Sequence, residues 1–162
     1  QHLPADDSAG TALVYMPLVD PVVLSGWEGK RYVAYSASPV FRELREQLPR
    51  AELHVGGSVI HPAVDLAVKM GAARVTLFGA DFAFPNNKTH AGWSDGDLGP
   101  QLGASRHWVL DGHGQRVKTQ LNFRSYLCEL ERYIAARPQV EFYNSSRAGA
   151  MITGTIFHPE FS

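Results

Sequence analysis

The chain contains a single cysteine, Cys128, so no disulfide bond can form within it. Its position in an apolar helical stretch favours a small, buried core residue. Long apolar runs are also missing: none approaches the roughly 18 residues of a membrane-spanning helix, and no signal peptide is visible. These absences exclude a disulfide framework and predict a cytoplasmic protein without a membrane span.

An excess of positive charge is missing as well. The 15 Lys and Arg residues are balanced by 16 Asp and Glu residues, for a net charge of -1, and they are spread along the chain. Because nucleic-acid partners select a concentrated basic surface, we expect no nucleic-acid binding. The chain also lacks a Gly-x-Ser-x-Gly nucleophile motif, a P-loop lysine motif and the His/Cys spacing of a structural zinc site.

The composition is that of a globular protein, because 44% of the 162 residues are hydrophobic and 19% are charged. This length suffices for one domain with a sizeable core. The chain starts at Gln1 and stops at Ser162 without a clear terminal element. We therefore expect residues 1–162 to form a single domain that belongs to a longer protein.

Hydrophobic periodicity predicts strands that alternate with helices. The predicted strands cover 12–16, 31–36, 52–55, 74–78 and 140–143, and the predicted helices cover about 39–48, 58–71 and 120–136. Residues 108–110 and 115–118 flank the sequence Asp-Gly-His-Gly, which predicts a β-hairpin. This order predicts an α/β fold, a three-layer αβα sandwich with a mostly parallel sheet and a hairpin insertion.

The spacing of apolar residues also predicts one face for each of the two longer helices. In the helix over 58–71, this face comprises Val59, Ala63, Leu66, Ala67 and Met70. In the helix over 120–136, it comprises Phe123, Leu127, Leu130 and Ile134.

The first candidate for a ligand site is the sequence Gly56-Gly57-Ser58, between a predicted strand and a predicted helix. Glycines let the backbone approach a ligand closely, and free N–H groups at a helix start favour phosphate. Either Ser58 caps this helix, or His61 caps it and Pro62 takes the first helical position. The competing interpretation is an ordinary tight turn between a strand and a helix.

Further polar residues follow the other predicted strands, and ligands of parallel α/β sheets bind beyond the carboxyl ends of the strands. Asp81 follows the fourth strand, where a carboxylate can bind Mg²⁺, a ribose hydroxyl or a substrate amine. Asn144, Ser146 and Arg147 follow the last strand and offer polar groups and one cation. We expect these residues to meet Gly56-Gly57-Ser58, which follow the third predicted strand, at one edge of the sheet.

Three more residues belong to the predicted site. Within a long irregular stretch over about 85–106, Lys88 can neutralise phosphate and His90 can act as a general acid or base near neutral pH. Thr119 precedes the last predicted helix, and we expect it to be the N-cap of that helix and a phosphate contact.

Four segments of the chain, taken in order, resemble one protein family. They are residues 54–67, 75–84 with 88–90, 114–119, and 144–150 with 152–154. Together they resemble the motility accessory factor (Maf) flagellin glycosyltransferases and the MptE-like 6-hydroxymethyl-dihydropterin pyrophosphokinases, over roughly residues 50–157. The upstream Gly-x-Gly-Pro-Ser-Leu turn of that family has no counterpart in this sequence.

The resemblance implies a Rossmann-like fold and a nucleotide-dependent transferase. Maf proteins are implicated in moving nonulosonic acids from CMP-activated donors to flagellin, whereas the pyrophosphokinases transfer diphosphate from ATP with Mg²⁺. The resemblance puts Gly57 and Ser58 in a phosphate-contacting turn and Asp81 at an acidic strand end. The expected partners are a nucleotide or nucleotide sugar and a flagellin-like acceptor protein, and a non-catalytic nucleotide- or glycan-binding module is the alternative.

Overall fold

The computed structural model describes residues 9–85 and 106–158. The chain divides into two compact units, Gln1–Val55 and Gly56–Ser162. Within the described residues, no helix is both long and apolar enough to cross a membrane.

The N-terminal unit contains two short parallel strand pairs. Its strands are β1 (Leu13–Tyr15), β2 (Arg31–Val33), β3 (Tyr35–Ser36) and β4 (Glu52–Leu53), with β1 paired to β2 and β3 paired to β4. The predicted strand over 31–36 is thus divided at Ala34, because its two halves pair with different neighbours. The order of strands otherwise follows the sequence prediction.

The helices of this unit begin at residues that cap them. Helix α1 (Pro21–Ser25), which the sequence patterns did not predict, starts where Asp20 Oδ1 accepts a hydrogen bond from the Val22 N–H at 2.9 Å. A 3-10 turn (Pro39–Phe41) leads into α2 (Arg42–Gln47), and Ser38 caps that turn. This confirms the predicted helix over about 39–48.

The C-terminal unit contains a three-stranded parallel sheet and an antiparallel hairpin. The sheet has the order β5 (Arg74–Leu77), β8 (Glu141–Asn144), β9 (Ile156–Phe157). Strands β6 (His107–Leu110) and β7 (Arg116–Thr119) form the hairpin that the sequence predicted. The structure therefore confirms an α/β fold with mostly parallel pairing, although each sheet is small.

Helices α3 (Ile60–Lys69) and α4 (Leu121–Ala135) cover the core of this unit. On α4 the predicted buried face is confirmed for Leu127, Leu130 and Ile134, with Phe123 packed beside them. Cys128 is exposed, so the prediction of a buried cysteine was wrong. The buried residues recur at three- and four-residue intervals from Leu127, which turns the neighbouring Cys128 away from the core.

The predicted apolar face of α3 was also wrong. Val59 and Met70 are 82% and 79% exposed, while the buried residues of the helix are His61, Val64 and Asp65. Two of these three are polar, and both have partners on α4 or near it. Burial of a polar side chain is tolerated when it is hydrogen-bonded. The side of α3 that is buried is therefore set by the hydrogen-bond partners of its polar residues rather than by its hydrophobicity.

Candidate functional site

The loop after β5 has an unusual backbone at the predicted acidic position. Phe82, next to Asp81, is buried and has a φ of +46°, in the left-handed region that residues with a Cβ rarely adopt. The hydroxyl of Thr119 donates to the Phe82 carbonyl at 2.6 Å, and the Phe84 N–H donates to the Lys118 carbonyl at 2.8 Å. Strand β7 therefore holds a strained loop in place, a situation typical of functional sites.

Asp81 is held against a second loop by a glycine. The Ala150 N–H donates to the Asp81 carbonyl at 2.6 Å. A Cβ placed on Gly149 would lie 2.6 Å from both the Cα and the Oδ1 of Asp81, so any larger residue would force one of the two backbones to shift. Only glycine at this position lets the two backbones approach, so Gly149 fixes where the half-buried Asp81 lies.

The same second loop carries the other predicted polar residues. Its start is fixed by a 3.1 Å hydrogen bond from the Ser145 N–H to the Leu77 carbonyl and by Asn144 Oδ1, which accepts from the Ser146 N–H at 3.2 Å. The guanidinium of the exposed Arg147 lies 4.0 Å from the centre of the Phe157 ring. We call Asp81, Asn144, Ser146, Arg147 and Gly149 the strand-end site.

The pairing of β5 with β8 explains why these loops meet. Leu77 lies opposite Asn144 in a parallel register, so both strands deliver their carboxyl ends to one edge of the sheet. The predicted meeting of the segments after the fourth and last strands is thus observed. Whether the strand-end site binds a ligand stays a prediction.

Residues 56–58, here called the glycine turn, pack against helices of the same unit. Gly57 has a φ of +93°, and a Cβ at this position would overlap the ring of Tyr126 on α4. A Cβ on Gly56 would lie 2.5 Å from Glu129 Cγ and 2.7 Å from His61 Nε2. Both glycines therefore make room for side chains of α3 and α4.

The Ser58 amide already has a partner inside the protein. His61, which is 1% exposed, places Nδ1 3.3 Å from the Ser58 nitrogen and Nε2 3.0 Å from the Tyr126 carbonyl oxygen. Because a carbonyl only accepts, Nε2 donates to the Tyr126 carbonyl. Nδ1 faces both backbone groups of Ser58: it is the acceptor for the Ser58 N–H and lies 3.0 Å from the Ser58 carbonyl oxygen. A phosphate that took this N–H group would have to break the bond to His61.

The structure also settles how α3 begins. Val59 is the N-cap, without a side-chain hydrogen bond, and Pro62 lies in the first turn of a helix that starts at Ile60. Neither Ser58 nor His61 is the cap, so both predicted alternatives were wrong. His61 instead reaches back from inside the first turn to the glycine turn.

Sequence reasoning missed a buried network on α3 and α4. Asp65, 1% exposed, accepts from the Tyr133 hydroxyl at 2.8 Å and pairs with Lys69 at 2.7 Å and with Arg137 at 3.6 Å. Burial and the hydrogen bond to Asp65 raise the pKa of Tyr133 above its ordinary value. The signal in the sequence was an aspartate inside an apolar helical run, four residues before a lysine.

The remaining predicted residues have different outcomes. Thr119 is fully buried at the end of β7 and Gln120 is the N-cap of α4, so the prediction of Thr119 as N-cap was wrong. Its hydroxyl has the structural role described above. Lys88 and His90 lie outside the described residues. In the part of the chain that the structure describes, no group of three or more His, Cys, Asp or Glu side chains could hold a metal ion.

A chain of aromatic contacts links the glycine turn to the loop after β5. Tyr126, which packs on Gly57, lies 6.3 Å from Phe123 between ring centres, and Phe123 lies 5.2 Å from Phe84. Phe84 follows Asp81 by three residues. The glycine turn thus supports the packing behind the strand-end site.

A parallel α/β fold with a strained, acidic loop at its strand ends is characteristic of proteins that bind ligands beyond the sheet. Residues 1–87, more than half of this chain, match the family described as 6-hydroxymethylpterin diphosphokinase MptE-like. The chain belongs to that family. No curated protein matches it.

A solved structure supports the fold. The Maf glycosyltransferase from Magnetospirillum magneticum AMB-1 is 19% identical to this chain, with a TM-score of 0.70. The likeness covers 94% of this chain but 23% of the other, so the chain spans about a quarter of that protein. The family match confirms the family that the motifs resembled, but it begins at residue 1, well before the resemblance over 50–157.

Proposed function

We propose that this chain is a nucleotide-dependent transferase domain, of the Maf glycosyltransferase type, that uses a CMP-activated nonulosonic acid as donor. The observation that carries the proposal is the close approach of Asp81 to Gly149 at the carboxyl ends of two parallel strands. Membership of the MptE-like family and the likeness to a Maf glycosyltransferase support it. The proposal includes a single Rossmann-like, three-layer domain, a cytoplasmic location and a flagellin-like acceptor.

The charged and polar residues of the strand-end site each have a role in this proposal. Asp81 binds a hydroxyl group of the donor sugar, or Mg²⁺ where a metal takes part. Arg147 offers a bidentate cation to the donor phosphate, helped by Lys88, while Asn144 and Ser146 supply hydrogen bonds to the nucleotide. His90 takes the proton of the acceptor hydroxyl as general base.

The role of the glycine turn changes in this proposal. Because the Ser58 N–H is bonded to His61, we assign the first phosphate contact to Arg147 and a supporting role to Gly56, Gly57 and Ser58. Preorganised cations and N–H groups beside the transferred group supply several kcal/mol of transition-state stabilisation in enzymes of known mechanism.

Two alternatives have separate support. The description of the family favours a Mg-ATP-dependent enzyme that transfers diphosphate to the hydroxymethyl group of a pterin and releases AMP. The internal bonds of the glycine turn favour a non-catalytic module that binds a nucleotide or a glycan. The three proposals differ in which nucleotide binds and whether metal is needed.

Thermal unfolding with added nucleotides separates these proposals. A ligand that binds the folded state at about 100 times its Kd adds about 2.7 kcal/mol of stability and raises Tm. CMP stabilisation without metal supports the glycosyltransferase, ATP stabilisation that requires Mg²⁺ supports the diphosphokinase, and product formation decides between enzyme and module. If no nucleotide raises Tm, the proposed function fails.

Variants locate the nucleotide. We expect Asp81→Asn and Arg147→Gln each to reduce the nucleotide-induced rise in Tm, because both remove a charged contact of the strand-end site. The control is Glu46→Gln, which neutralises an exposed carboxylate in the N-terminal unit. If the rise in Tm is undiminished in both site variants, the nucleotide does not bind at the strand-end site.

A further inference from the structure

A second concave surface is lined by residues other than those assigned above. It is a hollow of about 320 Å³ on the β6–β7 hairpin and the first turn of α4. Its charged lining consists of Arg106, Arg116 and Arg124, and Trp108 and Leu110 add apolar surface. Among the residues that the structure describes, no Asp or Glu lines it, so this part of the lining carries three positive charges in a chain whose net charge is -1.

We call this surface the arginine hollow, and its three arginines lack acidic partners among the described residues. Within residues 9–85 and 106–158, no carboxylate forms an ion pair with Arg106, Arg116 or Arg124. Three like charges around one hollow repel one another, and a bound anion removes that repulsion. Guanidinium groups are also the side chains best suited to phosphate, since their N–H groups bind two oxygens at once.

Trp108 adds a second element of recognition. Its side chain is 45% exposed, although tryptophan is a large apolar residue. It pairs with Lys118 across the hairpin, and Lys118 Nζ lies 5.9 Å from the centre of the Trp108 ring. An exposed indole beside arginines and a lysine can stack on a planar ring whose substituents are anionic.

We propose that the arginine hollow binds a nucleoside di- or triphosphate, with its phosphates on Arg106, Arg116 and Arg124 and its base against Trp108. The hollow has the size of a small-ligand pocket, at the lower end of the usual range. The proposal does not depend on the transferase function, because its residues are separate from those of the strand-end site.

Titration calorimetry on the full chain in metal-free, low-salt buffer tests the proposal. Pyrophosphate probes the arginines alone, and ADP probes the arginines together with Trp108. We expect Arg116→Gln and Arg124→Gln each to weaken both probes about tenfold or more, the cost of a lost charged hydrogen bond. Trp108→Ala weakens ADP but leaves pyrophosphate unchanged.

A control variant distinguishes binding in the arginine hollow from general attraction of anions to the protein. Arg132→Gln removes an arginine of α4 that is 79% exposed and outside the hollow, and it leaves both affinities unchanged. Equal weakening by Arg132→Gln indicates general charge attraction and overturns the proposal. Absence of pyrophosphate and ADP binding, or binding only of an acidic polymer such as heparin, overturns it as well.

The same titration separates this proposal from the proposed function. If Asp81→Asn abolishes ADP binding and Arg116→Gln does not, the nucleotide lies at the strand-end site, and the proposal for the arginine hollow is wrong. If the reverse holds, ADP lies in the arginine hollow, and the CMP-induced rise in Tm remains the test of the strand-end site. Loss in neither variant overturns the proposal for the arginine hollow.

Discussion

The glycine turn and the strand-end site both depend on glycine, but their glycines make room for different neighbours. Gly57 accommodates the Tyr126 ring, and the adjacent Ser58 N–H is bonded to His61. Gly149 accommodates the backbone and carboxylate of Asp81, at the open edge where parallel strands end. A glycine motif therefore does not by itself distinguish a ligand site from a packing joint.

The largest effect on stability should come from Asp65, on the helix α3 that packs beside the glycine turn. We expect Asp65→Ala to lower the free energy of unfolding by about 3–4 kcal/mol, because it removes the buried carboxylate that pairs with Tyr133, Lys69 and Arg137. Urea unfolding measures this loss. Lys69→Ala is the control and should cost less than about 1 kcal/mol, since the Lys69 side chain is 51% exposed.

A loss under about 1 kcal/mol in Asp65→Ala would show that α3 and α4 are not joined by this network. Asp65→Asn sharpens the result, because it keeps an oxygen that accepts from Tyr133 but removes the charge. We expect an intermediate loss for that variant.

The next largest effect should come from Gly57→Ala. Alanine at a φ of +93° is strained, and its Cβ meets the Tyr126 ring, so we expect a loss of about 2–3 kcal/mol in urea unfolding. Replacing Tyr126 by Leu in the same chain should recover the part of the loss that is due to the clash. Gly26→Ala, at a φ of -84°, is the control and should be nearly neutral.

A smaller effect on stability, with an effect on binding, should come from Gly149→Ala. Its Cβ would push against Asp81, so we expect a loss of about 1–2 kcal/mol and a reduced nucleotide-induced rise in Tm. Gly57→Ala should keep that rise once its lower starting Tm is taken into account. If the two variants change the rise equally, the distinction between a packing joint and a ligand site is lost.

Much of the fold was predictable from local patterns. The strand over 74–78, the hairpin and the helix over 120–136 were found within one or two residues, because each has its own hydrophobic period or turn signal. Strand β9, two residues long, was missed because such a segment is too short for a period. Its strand character depends on pairing with β8.

The candidate site was predictable to a lesser extent. The rule for strand ends brought Asp81 and Asn144 together from the sequence alone. The buried face of α3 was not predictable, since the partners of His61 and Asp65 lie 65 and 68 residues away in the chain. The role of Gly149 likewise depends on the place of the Asp81 backbone, which no local pattern encodes.

A smaller effect is expected from alkaline pH, through the network on α3 and α4. Because the pKa of Tyr133 is raised by burial and by its bond to Asp65, the folded chain keeps a proton that the unfolded chain releases above about pH 10. This contribution to stability is complete below pH 10 and is lost as pH rises towards the folded pKa. Urea unfolding at several alkaline pH values measures the decline.

Variants assign that decline to one tyrosine. Tyr133→Phe should flatten the dependence of stability on pH above about 10, because it removes the titrating group. Tyr143→Phe is the control: its pKa is also raised, by a hydrogen bond to Glu141, but this tyrosine is outside the buried network. If the free energy of unfolding declines equally steeply with pH in Tyr133→Phe and in the unchanged chain, Tyr133 does not cause the decline.

The smallest expected effect tests which side of α4 packs on the glycine turn. Tyr126 and Glu129 contact the turn, whereas Cys128, between them in sequence, is exposed. We expect the Cys128 thiol to react with a disulfide reagent in the folded chain, and Cys128→Ser to change the free energy of unfolding by less than about 0.5 kcal/mol. Reaction only after denaturation would mean that this side of α4 is covered. The helix would then be rotated from the position in which Tyr126 meets Gly57, and the contrast between the two glycines would lose its basis.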